Sequence, residues 1–282
     1  MSKKRVLFIT QEMNPYTTIS EISEIVAKLP QFTQEKGMEI RVLMPKYGVI
    51  NERRHRLHEV VRLSGMNIIV DDDDFPLIIK VASLPGSRLQ VYFLDNEEFF
   101  KRKFVFDDED EKPFEDNLDR MVFFCKGAME TVKKFGWAPD LIHCHGWMTS
   151  LVPLYLKTVY KDEPIFDHSK LIYSAYGNDY EKTFGDSFFT KALINNLEAE
   201  QLDVYKHSGK ISLNAGAITY ADAVIQGSKK LKKNVLDLTE QRDVPKLPFQ
   251  AVEEYLEAYI EFYQSMMEEE FFPSLNPSCV HE

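Results

Sequence analysis

An α/β domain with a doubly wound, mostly parallel sheet is predicted by three observations. Short apolar runs recur at residues 4–10, 39–45, 140–145, 170–176 and 221–228. Segments with helical spacing of apolar residues lie between several of them. Glycine and proline fall at the changes of period. Strands alternating with helices build a sheet covered on both faces, whose strands read as unbroken apolar runs.

The first run, KRVLFIT, is such a strand. A helix follows from about Ser20, with Ile22, Ile25, Val26, Leu29 and Phe32 on one face, and Pro30 is expected to kink or end it. Gly37 closes the turn into a second strand, EIRVLMP, which completes a right-handed β-α-β unit. Residues 57–94 hold four strand-like pieces separated by Ser-Gly, an Asp run and Pro-Gly-Ser, and read as a hairpin-rich excursion on one edge. The Asp71–Asp74 run reads as a solvated turn. An acidic surface loop at 107–116 precedes a long helix carrying Leu118, Met121, Val122, Cys125, Met129 and Val132, closed by Gly136. Residues 147–160 are expected to be one helix. Beyond the strand at 221–228 come a polar helix, Pro245 and Pro248, and a helix over about 250–270 with a stripe that includes Tyr255, Tyr259, Phe262 and Tyr263. The domain boundaries drawn are 1–235 for the sheet domain and 236–282 for a linker plus the last helix.

The 282 residues suffice for one large domain or one domain with an appendage, and are a tight fit for two complete dinucleotide-type domains. A net charge of -11 excludes a nucleic-acid footprint, which needs a basic surface. No apolar run approaches the ~20 residues that span a bilayer, and the N-terminus reads as a strand, not a signal peptide. A soluble, cytoplasmic protein is expected. Cys125, Cys144 and Cys279 are odd in number and widely spaced, so the first two read as small buried hydrophobes and no disulfide framework is expected. No cofactor is expected: neither G-x-G-x-x-G nor G-x-x-x-x-G-K occurs.

Four segments in register resemble the bacterial glycogen synthase and starch synthase family, which transfers glucose from ADP-glucose to α-1,4-glucan. They are RVLFITQEMNPY with Glu12, Pro15 and Tyr16; KGMEIRVLMPKYGVI at 36–50; GWAPDLIHCHGWMTSLVPLYLK at 136–157; and ITYADAVIQGS at 218–228. The resemblance implies the N-terminal, acceptor-side half of a GT-B glycosyltransferase, a single Rossmann-like domain with a C-terminal helix packed back on it. It also implies that the second domain, which holds most nucleotide-sugar contacts, is missing between about residue 230 and the last helix. The sugar-facing set implied is Tyr16, His145, Trp147, Tyr176 and Asn178, with Trp147 readable either as a core anchor or as a stacking platform.

Three departures from the family pattern bear on chemistry. Where the resemblance calls for Lys-Thr-Gly-Gly-Leu, a phosphate-cradling loop, the chain has Thr18, Ile19, Ser20, Glu21 and Ile22. Losing a charge-assisted hydrogen bond costs about 1.5–3 kcal/mol. Thr18 and Ser20 are therefore a degenerate nucleotide-binding pair, and Thr18-x-x-Glu21 reads as a capping box that has taken over an anion site. The family's aspartate before the tryptophan is Gly146. Its histidine beside the reacting sugar is Tyr176, which can hydrogen-bond and stack but has no imidazole chemistry. His143 and His145 are assigned to opposite faces of their strand, so no metal is expected between them. No catalytic residue is named.

The reading that follows is a glucan-binding or regulatory module with weak or no activity alone. The alternative is an active glycogen synthase-type glycosyltransferase completed by a partner chain or by self-association. The partners expected are an α-glucan such as glycogen or a maltooligosaccharide, and a chain supplying the nucleotide-sugar domain or a second copy. A flavodoxin-like signalling or nucleotide-binding domain is a third reading, without a motif to give it chemistry.

Overall fold

The computed structural model describes residues 3–177, 180, 184–207 and 209–268. Its strands are β1 (Arg5–Thr10), β2 (Glu39–Pro45), β3 (His58–Glu59), β4 (Met66–Val70), β5 (Asp73–Ser83), β6 (Gln90–Asp95), β7 (Leu141–His145), β8 (Lys170–Ala175), β9 (Lys206–His207), β10 (Lys210–Ile211), β11 (Ala223–Gln226) and β12 (Lys246–Leu247). Its α-helices are α1 (Ile22–Glu35), α2 (Glu52–His55), α3 (Glu97–Phe100), α4 (Asn117–Phe135), α5 (Val152–Lys157), α6 (Phe188–Lys191), α7 (Leu213–Tyr220), α8 (Lys233–Gln241) and α9 (Tyr255–Glu268).

A ten-stranded sheet runs in the order β12-β11-β8-β7-β1-β2-β6-β5-β3, with β4 on β5. The stretch from β12 to β6 is parallel, and β5, β3 and β4 add an antiparallel edge. The chain leaves β1 toward β2 on one side, while β7 flanks its other side. That reversal is the topological switch point, and crevices outside strand carboxyl ends at such points are where open α/β sheets bind ligands. Val6, Leu7, Phe8 and Ile9 of β1 are fully buried, as a strand covered on both faces requires.

Three expectations are corrected. Helix α1 runs through Pro30 to Glu35. Proline removes a single N–H, the one that would serve Val26 O, and the buried face formed by Ile22, Val26, Leu29 and Pro30 itself carries the helix past it. The segment 147–160 is a 3-10 turn at Trp147–Thr149 followed by the short α5, not one helix. Within 57–94, β6 joins the parallel sheet beside β2, so only β3, β4 and β5 form the antiparallel edge. Cys125 and Cys144 are buried free thiols, and Cys279 lies outside the described residues. Helix α9 packs back on the domain, with Tyr259, Ile260, Tyr263 and Met266 buried and Glu257 bridged to Lys36 at 2.8 Å. Among the described residues no helix is long and apolar enough to cross a membrane.

Candidate functional site

The switch-point crevice is filled by the chain's own side chains. At the last residue of β1, Thr10 Oγ1 donates to Glu12 O at 2.8 Å across the turn that leaves the strand. Gln11 then lies across Gly146, the first residue after β7. Gly146 has φ +88°, and a Cβ there would meet Gln11 Oε1 at 2.3 Å. A side chain at 146 therefore collides with Gln11 and strains the backbone. Gln11 occupies the space that the family's aspartate would need.

The carboxylate of Glu12 is fully buried and accepts four hydrogen bonds. The donors are Ile19 N at 2.7 Å, Ser20 N at 2.8 Å, Ser20 Oγ at 2.6 Å and Gln11 Nε2 at 3.1 Å. A carboxylate held by backbone amides ahead of a helix is the geometry that otherwise holds a phosphate. Three amides further on are also engaged: Ile22 N donates to Ser20 Oγ at 3.3 Å, Ser23 N to Ser20 O at 3.2 Å and Ile25 N to Glu21 O at 3.3 Å.

The capping box expected between Thr18 and Glu21 does not form. The helix starts at Ile22, so Glu21 is the cap residue itself and its side chain caps nothing. Its carboxylate instead accepts a short hydrogen bond from Ser228 Oγ, just beyond β11. Thr18 is exposed, and Ser20 is tied to Glu12.

His143 and His145 lie on one face of β7, with ring centroids 3.8 Å apart. The assignment to opposite faces is wrong, because residues two apart in a strand share a side. Among the described residues no group of three or more His, Cys, Asp or Glu could hold a metal ion. His143 Nδ1 pairs with Tyr263 OH at 2.6 Å and Nε2 with Ser174 Oγ at 2.8 Å. His145 Nδ1 pairs with Tyr176 OH at 2.8 Å, and its Nε2 has no partner among the described residues. Burial pushes the His145 imidazole down to about 3. Burial, and then the neighbouring His145, hold His143 well below its usual value. Both rings are neutral near pH 7, and Tyr263 of α9 fastens the last helix to the sheet through one of them.

The structure therefore joins two of the sequence-named sugar residues, His145 and Tyr176, and leaves two apart. The Tyr176 ring lies where a Cβ on Gly227 would be 2.6 Å away. Trp147 stacks on Tyr180 at 4.7 Å and 13° and packs against Phe106 at 4.8 Å. Tyr16 packs edge-on to Phe93 at 4.9 Å and His55 at 5.0 Å, and its hydroxyl donates to Ser83 O at 3.3 Å. All four are at most 5% exposed, so none offers a free ring face to solvent. Asn178 lies outside the described residues. Sequence reasoning gave Gln11 and Ser174 no role and did not foresee the Glu12 and Tyr263 contacts. Alternation along β7 and the tyrosine stripe of α9 carried a signal for Tyr263; Glu12 meets its partners through a seven-residue loop that no periodicity describes.

A model of the starch synthase catalytic domain matches residues 5–244. The glycogen synthase of Chlorobaculum tepidum is 38% identical over 238 residues, covering 83% of this chain and 47% of the relative. That of Chlorobium limicola is 41% identical over 226 residues, covering 80% and 46%. The chain thus spans about half the length of the curated relatives it matches. A solved structure, the catalytic domain of starch synthase IV from Arabidopsis thaliana bound to ADP and acarbose, superposes with a TM-score of 0.68 at 22% identity, covering 80% of this chain and 45% of that one. That likeness shows the α/β fold.

Proposed function

The chain belongs to the starch synthase catalytic domain family, and on that premise we propose that it is a glucan-binding module of glycogen-synthase type which transfers no glucose from ADP-glucose on its own. The observation that carries the second half is the closed loop before α1. The Glu12 carboxylate takes the amides of Ile19 and Ser20, and Thr18 stands where the resemblance places a lysine. A diphosphate arriving there meets the Ile19 and Ser20 amides already engaged and two carboxylates, Glu12 and Glu21. Within the low-dielectric crevice that repulsion is worth several-fold in affinity or more. Family membership supports an α-glucan as ligand, because the curated relatives are glycogen synthases.

Two measurements on the purified chain test this reading. Incorporation of labelled glucose from ADP-glucose into glycogen is expected to equal the no-protein control. Retention of the folded chain on immobilised glycogen is expected to exceed that on an agarose blank. Turnover by the chain alone overturns the proposed inactivity, and absence of retention overturns the glucan-binding role. Turnover that appears only with an added glycosyltransferase chain, or only above a threshold concentration of this one, identifies a synthase completed by a partner or by self-association instead.

A further inference from the structure

We infer that the antiparallel edge around α2 and β3 is a docking surface for an acidic segment of a partner protein. Four of the chain's ten arginines, Arg53, Arg54, Arg56 and Arg62, fall within ten residues there, and the segment 51–62 has no lysine although the chain has 24. All four are exposed. Among the described residues none of their guanidiniums has an ion pair or a side-chain hydrogen bond. Carboxylates nearby are few. Glu52 is taken by Lys46 at 2.8 Å and Lys80 at 2.7 Å, and Asp95 by Lys80 at 2.8 Å, which leaves Glu59. In a chain of net charge -11 this edge makes a local positive potential.

The platform beneath the arginines is fixed. Asn51 Oδ1 accepts from Arg54 N at 2.9 Å and starts α2, Arg56 ends it at φ 54°, and the His55 ring packs on Tyr16 at 5.0 Å. Burial, and then the charge of Arg54, hold the His55 imidazole below its usual value. Among the described residues β3 is the last strand of its sheet, paired with β5 on one side alone. Arg56 and Arg62 flank it, at most about 20 Å apart along the chain, so an extended segment laid beside β3 meets a guanidinium at each end. Edge strands are commonly protected by lysine. Arginine instead presents a planar fork that takes a carboxylate through two parallel hydrogen bonds. Among the arginines Val61 is 78% exposed, and Leu57 and Val60 are half-buried. Arginine beside apolar side chains is the make-up of protein–protein contacts. A nucleic acid or a sulfated glycan leaves Val61 without a partner, and Tyr16, the ring against α2, is 5% exposed and offers no stacking face.

The test is fluorescence anisotropy of the full chain with a labelled peptide of glutamate pairs separated by leucines. Glycogen is left out, so the result is independent of the proposed glucan-binding function. Saturable binding is expected, weakened several-fold between low and physiological salt. The Arg53→Ala, Arg54→Ala, Arg62→Ala triple variant is expected to lose about tenfold or more in affinity. The Arg53→Lys, Arg54→Lys, Arg62→Lys variant keeps the charge but not the fork, and is expected to lose about threefold. All three side chains are exposed, so both variants should keep the parent circular dichroism spectrum and melting temperature. Val61→Ser is expected to weaken the peptide about threefold and to leave heparin binding unchanged. Lack of saturable peptide binding overturns the surface, as does undiminished affinity in the alanine variant. Undiminished affinity in the lysine variant overturns recognition by the arginine fork. Heparin binding as tightly as the peptide, with Val61→Ser silent for both, overturns a protein segment as the occupant. A dimer of the chain alone in sedimentation, abolished by the alanine variant, overturns a separate partner and makes a second copy the occupant.

Discussion

Glu12 and Arg120 are both buried charges with no exposed surface, and the chain treats them in opposite ways. Glu12 has four hydrogen-bond donors around one carboxylate, two of them backbone amides that no side-chain substitution removes. Among the described residues Arg120 has one hydrogen-bond acceptor, Asn117 Oδ1 at 2.5 Å, and the ring faces of Phe100, Phe114 and Tyr47 at 5.4 to 5.9 Å. Its Nε and Nη2 have no partner among the described residues, nor has the Tyr47 hydroxyl. Burial pushes the guanidinium down to about 10. A buried charge is stabilising only when its partners repay desolvation. The first region is therefore an organising contact, and the second is a charge the fold tolerates.

The largest expected effect comes from restoring the family's aspartate. Gly146→Asp places a Cβ 2.3 Å from Gln11 Oε1 at φ +88°. Overpacking and backbone strain together predict a loss of about 4 kcal/mol in urea unfolding. Gln11→Ser in the same chain should recover the steric share and leave the strain. If Gly146→Asp alone is neutral, Gln11 is not the obstacle the geometry makes it.

Glu12→Gln comes next. The amide keeps an acceptor but loses the charge and turns an N–H₂ toward donors, so a loss of about 3 kcal/mol is expected. Amide hydrogen exchange at Ile19 and Ser20 should accelerate with it. Unchanged protection at those two amides would mean that the loop holds itself without the carboxylate.

Each ring of the histidine pair gives a pH dependence of intermediate size, about 2 kcal/mol between pH 7 and pH 5. Both folded-state values lie below the ordinary 6.5, so below pH 6.5 the unfolded chain binds more protons than the folded one. Stability is complete above that pH and falls as pH drops, by about 1.4 kcal/mol per pH unit per histidine; for His145 the fall continues to about 3. Unfolding midpoints between pH 7 and pH 5 measure it. His145→Phe should remove its share of that slope while keeping a ring against Phe8. An unchanged slope would assign the acid sensitivity to other groups.

How much of this was legible in the sequence depended on whether the signal was periodic. The five strands of the parallel sheet placed by their apolar runs all form, and α4 ends where Gly136 ends it. Pro30 does not end α1 because it is buried on the helix's packed face with Val26 and Leu29, and tertiary packing outweighs the one donor lost. At the site, the carboxyl ends of β7 and β8 bring His145 and Tyr176 into hydrogen-bond contact, a pairing that the sequence reading of both as sugar-facing residues did not include. The burial of Trp147 and Tyr16 depends on Phe106, Tyr180 and Phe93, residues up to 77 positions away in sequence. The role of Glu12 was hidden because two of its four donors are backbone amides, which have no residue type to read.

Arg120→Met is the smallest expected effect and the sharpest test of the contrast with Glu12. Methionine fills the space between Phe100, Phe114 and Tyr47 and removes both unpartnered N–H groups, while Asn117 Oδ1 loses one donor. Removing a buried charge with so few partners should be neutral within about 1 kcal/mol, or stabilising. The Tyr47 hydroxyl stays as it was, so the change isolates the guanidinium. A loss near the 3 kcal/mol expected for Glu12→Gln would mean that Arg120 is as well compensated as the carboxylate. The two regions would then differ only in the identity of their partners, and the closed loop before α1 could no longer be singled out as the fold's organising charge.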